Sequence, residues 1–74
     1  MTDYKNLNGD SGIIAYEIFD TYIRIQFEDE EVYVYSYDKP GEDEVEHMKK
    51  LAEEGKGLNT YINQKIRKKF DYKE

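Results

Sequence analysis

The apolar pattern of this chain changes period at Pro40-Gly41, and that one break narrows the folds open to it. Before the break, apolar residues alternate. In the run Tyr22 to Glu28, Ile23, Ile25 and Phe27 fall on one side and Arg24, Gln26 and Glu28 on the other, as in a half-buried strand. Val32 to Tyr37 alternates in the same way and sets Tyr33, Tyr35 and Tyr37 on one face. Gly12 to Ile18 is apolar and β-prone, with Ile13, Ile14, Tyr16 and Ile18. Phe19-Asp20-Thr21 and the acidic Asp29-Glu30 read as turns. Such short connections join antiparallel neighbours, so strands near 12–18, 22–28 and 31–37 form a meander.

After the break the spacing becomes three and four. Val45, Met48, Leu51 and Ala52 make one face of a helix over 42–54. Acids fill its first turn, Glu46 and Lys50 form an i,i+4 pair, and Gly55 suits a left-handed C-terminal stop. Ile62, Ile66 and Phe70 recur at steps of four, which predicts a second helix over 58–70, with Asn59 as its N-cap. The expected fold is α+β: a three-stranded antiparallel meander followed by two helices packed on one sheet face, in the order β-β-β-α-α. Residues 1–10 are polar and read as a flexible N-terminal arm, leaving 11–74 as a single domain. The expected core is Ile14, Ile23, Ile25, Phe27, Met48, Leu51, Leu58, Ile62 and Ile66.

A chain of 74 residues is one domain. At this size folding buries only about 60% of the unfolded surface, so the core must be dense. There is no cysteine, hence neither a disulfide nor a thiolate-bound zinc to staple it. Aromatic residues, 15% of the chain and mostly tyrosine, must supply core volume.

That requirement bears on the tyrosine strand, for which two registers are open. A turn of two or four residues between the second and third strands sets Ile25 opposite Val34. Tyr33 and Tyr35 then face solvent as a platform able to stack bases. A three-residue turn, Glu28-Asp29-Glu30, sets Ile25 opposite Tyr33 and Ile23 opposite Tyr35, and the rings join the core. Asp29-Glu30 fits a two-residue turn poorly, because both central residues there need positive φ. The missing glycine also weakens the three-residue turn. A small domain without tryptophan needs ring volume inside, which favours the core register.

The formal net charge is −6, which opposes non-specific binding to nucleic acid. The charges are also unevenly placed. Residues 28–46 carry Glu28, Asp29, Glu30, Glu31, Asp38, Glu42, Asp43, Glu44 and Glu46 against Lys39 alone, whereas residues 56–69 carry Lys56, Lys65, Arg67, Lys68 and Lys69 and no acid. Solubility and matching to helix dipoles account for both poles. The basic end of the second helix is nevertheless the best candidate for a partner surface.

Catalytic chemistry finds little footing. His47 is the only histidine, on a charge-rich helix, with no nucleophile pattern beside it. The acids from Asp38 to Glu46 lack the alternating ligands and mid-loop glycine of a calcium loop. Gly55-Lys56-Gly57 follows a helix rather than a strand, so it is no phosphate loop. No enzyme activity, cofactor or metal site is expected. The N-terminal residues have no apolar signal core and the apolar runs are too short to span a bilayer, so the expectation is a cytoplasmic protein with no membrane contact.

Taken in order, the motifs resemble the KTSC domain, a short module found at the carboxyl end of some lysyl-tRNA synthetases and as small stand-alone bacterial proteins. Ile14-Ala15-Tyr16 stands for its Ile-Gly-Tyr, and Ile23-x-Ile25-x-Phe27 for its second strand. Tyr33-Val34-Tyr35 stands for its Tyr-x-Tyr, and Gly55-x-x-Leu58-Asn59-x-x-Ile62 for its late motif. The resemblance spans roughly residues 11–70. Ala15 replaces a glycine, Pro40 sits one residue late, Lys39 replaces an apolar residue, and Glu53-Glu54 fill a stretch that usually contains Ser. Ile66 and Phe70 share the place of a single late Tyr. The fusion to a tRNA-charging enzyme implies contact with RNA. The expected function is a small non-catalytic binding module with RNA as partner, through Lys65, Arg67, Lys68, Lys69, Tyr33 and Tyr35. The alternative is a protein–protein adaptor or accessory subunit with no nucleic-acid contact.

Overall fold

In the computed structural model, which describes residues 1–7, 9 and 12–74, an antiparallel sheet packs one face against two helices. The strands are β1 (Thr2–Asp3), β2 (Ile13–Ile18), β3 (Tyr22–Phe27), β4 (Val32–Ser36) and β5 (Tyr72–Lys73). They lie side by side in sequence order and every neighbouring pair is antiparallel. Helix α1 (Glu42–Glu54) and the short α2 (Leu58–Tyr61) follow β4, and α2 runs on as a π-helical turn, Ile62–Ile66. The α+β class and the antiparallel sheet agree with the sequence pattern. Among the described residues the count of three strands is corrected to five.

The two added strands sit at the edges. β1 lies in the segment expected to be a flexible arm: Thr2 pairs with Tyr16 and Asp3 with Ala15. Tyr4 follows it into the core, and its hydroxyl accepts the Leu58 backbone N–H at 3.4 Å. The boundary expected between residues 10 and 11 lies outside the described residues. β5 pairs Lys73 with Tyr33 and Tyr72 with Val34. Two residues give no readable alternation, which is why neither strand shows in the sequence.

The central register answers the tyrosine question. Ile25 stands opposite Tyr33 and Ile23 opposite Tyr35. Phe27 and Glu31 close the hairpin, the Phe27 N–H donating to Glu31 O at 2.9 Å and the Glu30 N–H to Phe27 O at 2.8 Å. The loop is therefore Glu28-Asp29-Glu30. Its last residue takes the left-handed conformation that glycine usually supplies, with φ 67° at Glu30. The aromatic platform on the solvent face is ruled out: Tyr35 is 1% exposed and Tyr33 and Tyr37 pack against the core.

The register of β2 shifts between Ile13 and Ala15, where the pairing passes from Ile13–Phe27 to Ala15–Gln26. Such a bulge turns adjacent side chains against simple alternation. Ile13 is 2% exposed and Ile14 is 42% exposed, so the expected burial of Ile14 is corrected to Ile13. Ile23, Ile25, Met48, Leu58, Ile62 and Ile66 are buried as expected, while Phe27 and Leu51 are only half-buried at the margin of the core.

Helix α1 begins after Gly41, carries Glu42, Asp43 and Glu44 in its first turn, and buries Val45, Met48 and Ala52. It ends at Gly55, φ 81°, whose N–H reaches the carbonyls of Leu51 and Ala52. The expected Asn59 cap is corrected to Gly57, φ 82°. The second helix also stops short of residue 70. Ile62 and Ile66 keep the apolar face. Beyond them the chain must turn to bring β5 alongside β4, and the Lys69 N–H closes that turn on Ile66 O at 2.9 Å. The Asp71 N–H then donates to Val34 O at 2.7 Å.

Candidate partner-binding cleft

The tip of the β3–β4 hairpin and the π-helical end of the second helix face each other across a cleft of about 340 Å³. That size sits at the low end of the ~300–1,000 Å³ typical of small-ligand sites. β3 supplies Phe27, the hairpin turn Asp29, and β4 Tyr33 and Tyr35. The helical side supplies Ile62, Asn63, Arg67 and Lys68, and the returning chain adds Phe70.

The apolar wall is a run of three rings set edge to face. Phe27 and Tyr33 have centroids 5.3 Å apart at 85°, and Tyr33 and Phe70 4.8 Å apart at 84°. This geometry suits the ring quadrupoles and fixes the wall without filling the cleft. Register places the first two rings: Phe27 ends β3, and Tyr33 faces Ile25 two rungs up the ladder. Phe70 arrives because the chain leaves the helix after Ile66. Lys73 holds the outer side of the wall, its Nζ 5.9 Å from the Tyr33 ring centre and 2.6 Å from Glu31 Oε2. The Tyr35 phenol is pushed well above the usual tyrosine range, first by burial and then by Tyr33.

The polar wall carries the charge. Arg67 and Lys68 are exposed, and neither side chain lies in an ion pair with another described residue. In a chain with 17 acids, Arg24, Lys49 and Lys73 are matched, whereas Lys5, Lys39, Lys50, Lys56, Lys65 and Lys69, like Arg67 and Lys68, lie in no ion pair with another described residue. Arg24 reaches Glu17 and holds Glu74 through two hydrogen bonds, at 2.8 and 2.6 Å. Lys49 sits 2.7 Å from Glu46 and donates to Asp20 O at 2.9 Å. The one acid in the cleft, Asp29, accepts the Glu31 N–H on Oδ1 at 3.1 Å, inside its own turn.

Of the residues named from sequence, the cleft joins Tyr33, Tyr35, Arg67 and Lys68. Lys65 and Lys69 are exposed but do not line it. Sequence reasoning missed Phe27, Asp29, Ile62, Asn63 and Phe70 as lining residues. The i,i+4 spacing of Asn63 and Arg67 was a usable signal; the position of Phe70 was not, since it depends on the turn after Ile66.

His47 packs against Tyr61, centroids 4.7 Å apart, and neither residue lines the cleft. Among the described residues, no three His, Asp or Glu side chains come together in a way that could hold a metal ion. No described helix is long and apolar enough to cross a membrane. Comparison with family models, with curated proteins and with solved structures gives no match to this chain.

Proposed function

We propose that this protein is a small non-catalytic module that binds single-stranded RNA in the cleft between the β3–β4 hairpin and the second helix. One observation carries the reading: two unpaired cations, Arg67 and Lys68, stand beside a wall of three aromatic rings in a chain otherwise rich in acid. Phosphate neutralisation and base–ring contact are the two terms that single-strand binders combine. The order of motifs that resembles the KTSC domain supports the same partner class. The overall charge of −6 slows encounter with a polyanion, but screening limits that repulsion to about 8 Å at physiological salt, so a local basic face still acts.

The test is an amide-shift titration with a short unstructured RNA at low and raised salt. Shifts should cluster on Asp29, Tyr33, Asn63, Arg67 and Phe70. Affinity should fall as salt rises, and Arg67→Glu with Lys68→Glu should weaken binding and flatten that dependence. The same charge change at Lys65 and Lys69, outside the cleft, should have a smaller effect. Absence of any shift at low salt sinks the RNA reading. The alternative is a protein–protein adaptor or accessory subunit with no nucleic-acid contact.

A further inference from the structure

The charge balance of the cleft asks for a particular kind of ligand. Two cations favour a phosphate, and the rings favour a planar group. Asp29 fits neither role. A carboxylate beside a phosphate-binding pair repels the ligand unless the ligand offers it donors. Ionised Asp is an acceptor only, with about four lone-pair positions on two oxygens. One position on Oδ1 is taken by the Glu31 N–H. The rest of the carboxylate accepts no other hydrogen bond among the described residues; it stands on an exposed turn at the cleft margin, with Lys73 near enough to act on it through charge.

The four RNA bases differ in what they present to such a group. Guanine alone carries two adjacent donors on its Watson–Crick edge, the ring N1–H and the exocyclic amine. Adenine and cytosine each set one amine beside an acceptor nitrogen, and uracil sets one N–H between two carbonyls. A carboxylate therefore pairs with guanine through two parallel hydrogen bonds and meets a repelling lone pair on each of the others. Asn63, also in the wall, offers both a donor and an acceptor and so does not discriminate.

We infer that the cleft selects guanine over the other bases through the carboxylate of Asp29, an inference that rests on RNA being the partner. Arg67 and Lys68 hold the flanking phosphates, and the base lies against the wall that Tyr33 and Phe70 form together. The hairpin turn thus serves as the specificity element, and the helix end supplies affinity.

The experiment compares four pentamers, UUGUU, UUAUU, UUCUU and UUUUU, by amide-shift titration at one low salt concentration. UUGUU should bind about tenfold more tightly than the other three, the discrimination expected of one bidentate base contact. Replacing guanine by hypoxanthine, which lacks the exocyclic amine, should remove part of that margin. Asp29→Asn should remove most of it. Its carbonyl oxygen can still accept the Glu31 N–H, so the turn is retained, which an unchanged urea midpoint verifies. Equal binding of all four pentamers overturns the guanine inference and leaves RNA binding standing. A guanine preference that survives Asp29→Asn overturns the role of the carboxylate. Failure of every pentamer to bind ends both readings.

Discussion

A Cβ placed on Gly55 would stand 2.5 Å from the Cβ of Lys5. The end of α1 and the segment after β1 therefore touch where only a glycine leaves room, and the Leu7 N–H donates to Gly55 O at 2.7 Å in the same place.

The expected result is that Gly55→Ala is more damaging than Gly57→Ala. Both residues have positive φ, 81° and 82°, so each alanine meets about 1–2 kcal/mol of backbone strain. At Gly57 the new methyl meets only Leu51 Cδ2, at an ordinary 3.6 Å. At Gly55 the clash with Lys5 adds to the strain, and the total should reach about 2–4 kcal/mol. Urea midpoints of the two variants give the comparison. Equal losses would mean that the N-terminal segment does not rest on Gly55.

The bulge in β2 makes two adjacent isoleucines unequal. Ile13→Ala removes a 2%-exposed side chain and should destabilise by about 2–5 kcal/mol. Ile14→Ala trims a 42%-exposed one and should stay within about 0.5 kcal/mol. Chemical denaturation of both variants decides it, and the reverse order would place the bulge wrongly.

Replacing the left-handed Glu30 should stabilise the fold. Its φ of 67° is strained for any residue with a Cβ, so Glu30→Gly should gain about 1 kcal/mol. A rise in thermal midpoint is the readout, and a fall would mean that the turn depends on the Glu30 side chain.

Alkaline pH should weaken the protein through its phenols. Burial pushes Tyr4 and Tyr35 above the ordinary tyrosine range. Tyr37 is pushed up to about 12, chiefly because its hydroxyl donates to Glu46 at 2.6 Å. The unfolded chain loses these protons near pH 10, before the folded one does. The extra stability is therefore whole below about pH 10 and is lost as pH climbs through the folded values. Urea midpoints at pH 9, 10 and 11 should fall in sequence, and Tyr35→Phe should make the fall shallower. A flat profile would contradict the burial of Tyr35.

The particulars show what periodicity carries. β3, β4 and α1 were legible because Ile23-Ile25-Phe27 and Val45-Met48-Ala52 each repeat long enough for one face to stand out. The tyrosine register was legible only as a choice, since it turned on whether Glu30 would accept a glycine conformation. Thr2–Asp3 and Tyr72–Lys73 were not legible: they become strands because the sheet offers them an edge, and nothing in two residues announces that. Half of the cleft shares this fate. Arg67 and Lys68 stand out as charge, while Phe70 and Asp29 join the site only through the turn after Ile66 and the loop after Phe27.

The short β5 has one more consequence, for how the protein behaves in a crowded solution. Val32-Tyr33-Val34-Tyr35 is the kind of β-branched and aromatic segment that stacks readily into fibrils when its edge is open. Here β3 covers one side of that segment and two-residue β5 the other, pinned by the Asp71 and Glu74 N–H groups on the carbonyls of Val34 and Val32. Fraying of those last residues would bare a sticky edge while the rest of the domain stays folded. The tendency to aggregate should therefore follow the local opening of β5, seen in the exchange of the Asp71 and Glu74 amides, rather than the melting temperature of the whole.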